Sequence, residues 1–177
     1  GLAVTREEFI QALREREVKL VELINRYQYR RSFNPEELRE AVYSYLNRPA
    51  KRLRPGILLF SCGAVGGDEE RALSAAAAVE VYHTWTLVHD DIIDNDPKRR
   101  GFPTVHEQFR GYALNEGYSE REAADYGRNL AILAGDLQHA WSMQLIWESV
   151  NSGVSSEVVL DLLVRMTDLT KGLLEGE

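Results

Sequence analysis

Cysteine is almost absent. A single Cys62 in 177 residues excludes an intrachain disulfide and leaves no thiolate set for a structural zinc. A reducing, cytoplasmic setting is the corresponding expectation. Proline is scarce at 5 and glycine modest at 13, which excludes a collagen-like chain and a Pro/Gly-rich disordered one. No stretch has the length and apolar continuity of a membrane span, and charge begins at Arg6 with no signal-peptide core before it. Basic residues are outnumbered, 21 Lys+Arg against 28 Asp+Glu, giving a net charge of −7. A chain this acidic repels polyanions, which excludes broad nucleic-acid or anionic-membrane binding. Any anionic ligand has to be held by a local basic cluster. The remaining composition, 44% hydrophobic and 28% charged, is that of a globular protein, long enough to form one domain over residues 1–177.

Helical spacing runs through the chain. Thr5 with Glu8 forms a capping box, and Phe9, Leu13, Leu20, Leu23, Ile24 and Tyr27 repeat at helical intervals to about Arg30. Asn34-Pro35-Glu36-Glu37 is a second start, with Asn as cap and Pro in the first turn, and Pro49 is the expected stop. A third helix is predicted from near Pro55 to Gly66-Gly67. Asp68 caps a fourth, to about Asp94. A polar loop over 95–103 precedes a short helix after Thr104. Ser119 with Glu122 opens a helix to about Val150, Asn151-Ser152-Gly153 breaks it, and Ser155 or Ser156 begins the last. No alternating apolar run supports a sheet, so the predicted class is all-α.

The densest polar constellation is His89-Asp90-Asp91-Ile92-Ile93-Asp94-Asn95-Asp96. Asp90 and Asp94 stand one helical turn apart, on one face. Like charges at that spacing repel, and acids at a helix C-terminus oppose the macrodipole. A hard divalent cation removes both penalties, and carboxylate oxygens suit Mg²⁺ completed by phosphate oxygens. Glu80, His83, Leu87, Asp90 and Asp94 share one stripe, so His83 faces the same space. Two basic clusters flank the acids: Arg48, Lys51, Arg52 and Arg54, then Lys98-Arg99-Arg100. Arg and Lys are the usual phosphate holders, and two such clusters beside a cation-binding face point to a diphosphate site.

The ordered set Lys51-Arg52-Leu53-Arg54-Pro55, Glu80…His83…Leu87…His89-Asp90-Asp91-Ile92-Ile93-Asp94, Arg99-Arg100-Gly101 and Pro103-Thr104-Val105-His106 resembles the trans-type polyprenyl diphosphate synthases. Gly135-Asp136 and Gly176-Glu177 add to the resemblance, which covers essentially the whole chain. It implies an isoprenoid-synthase-like helical bundle, commonly a homodimer. It also implies Mg²⁺-dependent, head-to-tail condensation of isopentenyl diphosphate with an allylic diphosphate. By position, Asp90 and Asp94, with Asp91 adjacent, are the implied Mg²⁺ ligands. Arg99 is the implied holder of the allylic diphosphate, and Lys51, Arg54, His83 and Arg100 those of isopentenyl diphosphate. Trp85 and Thr86, just before Asp90, fall where members of the family limit product length, which implies a C15 to C20 product.

Two departures stand out. Ala50 replaces the glycine usual before the lysine, and the family's second aspartate-rich motif has no counterpart, since Asp161, Asp168, Glu175 and Glu177 are scattered. The expectation is therefore an N-terminal portion of a synthase, inactive by itself. A non-catalytic interaction subunit and a terpene cyclase are the alternatives. The intact basic and acidic motifs disfavour the first, and the paired basic elements disfavour the second.

Overall fold

Short polar side chains decide where the helices begin. Thr5 and Glu8 exchange hydrogen bonds, each backbone N–H donating to the other's side-chain oxygen at 3.1 Å. Asp68 accepts from the Glu70 N–H at 2.9 Å, Ser119 from Glu122 at 3.2 Å and Ser155 from Val158 at 3.3 Å. In the structure, a computed structural model, residues 5–48 and 68–176 are described. Their order is α1 (Arg6–Ile24), α2 (Tyr27–Arg30), α3 (Glu36–Tyr43), α4 (Glu69–Ile93), β1 (Lys98–Arg99), β2 (Phe102–Pro103), α5 (Val105–Asn115) and α6 (Glu120–Glu148). A 3₁₀ turn (Ser149–Ser152) and α7 (Ser156–Glu175) follow. The chain is all-α, and β1 and β2 are the only strands among the described residues. The predicted helix from Pro55, together with Lys51, Arg52, Arg54 and Pro49, lies outside the described residues.

Several boundaries differ from the sequence reading, and α3 ends at Tyr43, before the expected stop at Pro49. The first helix stops at Ile24 rather than running to Arg30, because Arg26 is extended (ψ 144°) and α2 restarts after it. The Asn25 amide is engaged elsewhere, donating to Asn47 Oδ1 at 3.1 Å and accepting from Arg30 Nη1 at 3.0 Å. Such side-chain bonding competes with helix continuation. At α3, Pro35 is the cap residue rather than the first helical one, and the Asn34 amide donates back to the Arg31 carbonyl at 2.9 Å. Residues 95–103, expected as plain loop, contain an antiparallel ladder with Arg99 opposite Phe102. Its two-residue turn, Arg100-Gly101, has φ of 51° and 81°, the doubly left-handed turn whose twist matches that of paired strands.

The chain divides into two compact units. One draws on residues up to Leu23, the stretch ending at Val79, and Trp141 onward. In it Leu20, Leu23, Leu73, Ala76, Trp141, Leu145 and Val159 are buried, and Arg16 Nη2 meets Glu69 Oε1 at 2.5 Å. The other draws on Ile24 to Lys51 and Glu80–Ala140. Its core holds Val42, Tyr43, Leu46, Val81, Val88, Val105, Phe109, Ala131 and Ala134. Two buried side-chain bonds tie distant segments of it. Tyr43 Oη donates to the Ile24 carbonyl at 2.5 Å and Gln138 Nε2 to the Val42 carbonyl at 2.9 Å.

Candidate active site

The site begins with the way α4 ends. Asn95 takes a left-handed φ of 52°, its N–H bonds the Ile92 carbonyl at 3.2 Å, and the Asp96 N–H reaches back to Asp91 at 3.0 Å. This is a Schellman cap with Asn in the position glycine usually fills. Asp94 stays in helical register, its N–H on the Asp90 carbonyl at 2.8 Å. The two carboxylates are thus one turn apart on one face, with Asp90 half-buried and Asp94 exposed. Neither makes a side-chain hydrogen bond or ion pair among the described residues.

Asp91 has a different role from its neighbours. It is 2% exposed, and both its oxygens are taken. Arg99 donates through Nε to Oδ2 at 2.8 Å and through Nη2 to Oδ1 at 3.0 Å, and Tyr45 Oη donates to Oδ2 at 2.7 Å. The sequence grouped Asp91 with the metal ligands; the structure makes it the anchor of Arg99. One residue along a helix is about a 100° rotation. Asp91 therefore follows Val88 and Thr84, both buried, rather than Asp90. This fork raises the Arg99 pKa further, chiefly through the hydrogen bonds to Asp91.

Tyr45 belongs to none of the motifs that the sequence singles out. Its oxygen accepts from the Val105 N–H, at the start of α5, at 3.1 Å. Burial first, and the bond to Asp91 second, push its phenol well above the usual range. Arg48 was assigned to a phosphate-holding cluster, and here it does something else. Its guanidinium lies 4.7 Å from the Tyr45 ring centre and donates through Nη2 to the Pro103 carbonyl at 2.7 Å. Burial lowers the Arg48 pKa. Thr104, fully buried, closes the loop by donating through Oγ1 to the Asp96 carbonyl at 2.8 Å.

The remaining candidates separate. Arg100 is exposed at the hairpin turn, next to the anchored Arg99. His83 is half-buried on the Asp90–Asp94 stripe. Thr86 donates its hydroxyl to the His83 carbonyl at 2.6 Å. Trp85 is 7% exposed and packs against His139 of α6 at 4.7 Å between ring centres, against Tyr82 at 5.2 Å and against His89 at 5.9 Å. Lys51 and Arg54 lie outside the described residues. A cleft of about 810 Å³ beside the end of α4 is lined by Ile92, Ile93, His106, Arg110 and Arg128 among others, but by none of Asp90, Asp94 or Arg99.

Among the described residues no three His, Cys, Asp or Glu side chains converge as a closed metal cage. Two unpartnered carboxylates instead suit a cation that completes its shell with ligand oxygens, which is the habit of Mg²⁺. The fold and the site define an all-α protein in which two neighbouring carboxylates, Asp90 and Asp94, flank an acid, Asp91, that anchors an arginine.

The family profile described as Polyprenyl synthetase matches residues 35–177, and the chain belongs to that family. It is 46% identical over 124 residues to a geranylgeranyl diphosphate synthase of Sulfolobus acidocaldarius, covering 70% of this chain and 32% of that protein. It superimposes on a geranylgeranyl pyrophosphate synthetase of Geoglobus acetivorans with a TM-score of 0.74 at 33% identity, over 93% of this chain and 46% of that one. A geranylgeranyl pyrophosphate synthase of Corynebacterium glutamicum, solved with isoprenyl diphosphate and magnesium, aligns with a TM-score of 0.66 at 25% identity, over 97% and 47%. The chain thus spans about a third of the length of the curated relatives it matches and about half of the solved chains.

Proposed function

We propose that the site serves prenyl transfer, in which isopentenyl diphosphate is joined head to tail to an allylic diphosphate and inorganic diphosphate leaves. The observation that carries this reading is the pairing of free Asp90 and Asp94 with an Arg99 fork already fixed by Asp91. Asp90 and Asp94 would hold Mg²⁺, which when bound supplies positive charge to the departing diphosphate. Arg99 holds the allylic diphosphate. Lys51, Arg54, His83 and Arg100 hold isopentenyl diphosphate, Arg as a planar fork and Lys as a point charge. Trp85 and Thr86 contribute to limiting the product to C15–C20, a range supported by relatives named geranylgeranyl diphosphate synthases. A homodimer in the cytoplasm belongs to the same reading. Among the described residues no helix is long and apolar enough to cross a membrane.

The test is to incubate the chain with both diphosphates and Mg²⁺, and to measure diphosphate release and prenyl product by mass spectrometry. Product that disappears in Asp90→Ala and Asp94→Ala supports the reading. Mg²⁺-dependent binding of both diphosphates without turnover, lost in the same variants, is the outcome for a portion of a synthase that is inactive by itself. Failure to bind either diphosphate would overturn the reading.

A further inference from the structure

We infer that Tyr45 is a positioning residue, setting the orientation of the Arg99 guanidinium through Asp91 and so the affinity of the site for a diphosphate. The inference rests on the reading that Arg99 holds a diphosphate, and it assigns a role to a residue outside every motif quoted above.

The warrant is the direction of the hydrogen bonds. A phenol has one hydrogen to give. The Val105 N–H donates into the Tyr45 oxygen at 3.1 Å, so the hydroxyl hydrogen is free to point at Asp91 Oδ2, 2.7 Å away. The helix start thereby satisfies one of its own orphan N–H groups and fixes the polarity of the next bond. Asp91, at 2% exposed, is a buried carboxylate that requires donors on both oxygens. Tyr45 and Arg99 supply three between them, at 2.7, 2.8 and 3.0 Å.

The Tyr45 ring is itself confined. It is 7% exposed and covered by the Arg48 guanidinium, which is tied to the Pro103 carbonyl at 2.7 Å. Arg99 remains about a third open to solvent, its side chain 29% exposed. A guanidinium held at two points on one edge keeps its plane fixed, so the outward edge is presented without loss of rotational freedom on binding. Removing the hydroxyl leaves the Val105 N–H without its acceptor and Asp91 with only the Arg99 fork. The fork then loosens.

The experiment measures two quantities on the 177-residue chain: the affinity for inorganic pyrophosphate with Mg²⁺ by calorimetry, and the solvent exchange of the Arg99 Nε–H by nitrogen-15 NMR. Tyr45→Phe is expected to weaken pyrophosphate about tenfold, the worth of one lost buried hydrogen bond, and to speed that exchange. In an Arg99→Ala background, Tyr45→Phe is expected to cost nothing further, which a general loosening of the fold would not reproduce. Equal losses in both backgrounds, or unchanged affinity and exchange, overturn the inference. No pyrophosphate binding by the unaltered chain, or full affinity in Arg99→Ala alone, overturns the phosphate reading and this inference with it. If Tyr45→Phe does not fold, Asp91→Asn reads out the same coupling from the other side.

Discussion

A side chain on Gly127 would overlap the backbone carbonyl oxygen of His106. An added Cβ would also come within 2.8 Å of the Arg110 backbone nitrogen. At this point α6 touches the backbone of α5, and only a residue without Cβ permits the approach. Gly111, on α5 itself, has open space around it. Opposite outcomes are expected for one substitution. Gly127→Ala costs roughly 2 kcal/mol or more through forced backbone shifts. Gly111→Ala gains about 0.5–1 kcal/mol by reducing chain entropy in the unfolded state. Chemical denaturation of both variants measures the difference.

Asp90 and Asp94 repel across one turn when no cation is present. In Mg²⁺-free buffer, Asp94→Asn is expected to leave stability unchanged or raise it by about 0.2–0.5 kcal/mol. With Mg²⁺ and pyrophosphate the same variant loses binding. Thermal melts with and without the two ligands separate these effects, and a variant destabilised in both buffers would contradict the assignment.

Asn95 holds the left-handed cap that sets the register of Asp94. Asn95→Gly keeps that conformation. Asn95→Val forces a β-branched residue into it, at a cost of about 1–2 kcal/mol. Melting temperature should fall in the valine variant alone, and Mg²⁺-dependent pyrophosphate affinity with it.

His106 and His139 both have pKa values lowered, in each case mainly by burial. Their folded-state pKa lies below the unfolded value of 6.5, so the unfolded chain binds more protons as pH drops. Stability contributed by the neutral rings is therefore present above that value and lost as pH falls through the lower, folded one. Urea midpoints at several pH values between neutral and mildly acidic should decline, and His139→Gln should flatten the slope.

Helix starts were legible because they depend on neighbours in sequence: Thr5 with Glu8, Asp68, Ser119 and Ser155 act within three residues of themselves. The pairing of Asp90 and Asp94 on one face was legible for the same reason, since it needs only helical periodicity. The partners of Asp91 were not, because Tyr45 lies 46 residues away and no local rule joins them. Half the signal was nevertheless there. Asp91 shares its stripe with Val88 and Thr84 and therefore points inward, and a buried acid has to find donors. The hairpin was missed because each strand is two residues long, too short for an alternating pattern to register. Arg48 was grouped with the phosphate holders because composition treats every arginine near a motif alike, whereas its Nη2 donates to the Pro103 carbonyl and the Ser44 hydroxyl.

The bonds around Asp91 have a consequence for the order of events as the chain folds. They close loops of 46 residues from Tyr45 to Asp91, 55 from Arg48 to Pro103 and 60 from Tyr45 to Val105. Closing such loops costs entropy before any bond returns energy, so contacts of this range form late, once the helices that carry them have docked. The Asp90–Asp94 pair is different: it exists as soon as the last turn of α4 winds. A folding intermediate with α4 formed but Tyr45 unplaced would already expose the paired carboxylates, while Arg99 swung free. The fixed orientation of Arg99 then marks completion of the fold, whereas the pairing of Asp90 with Asp94 does not.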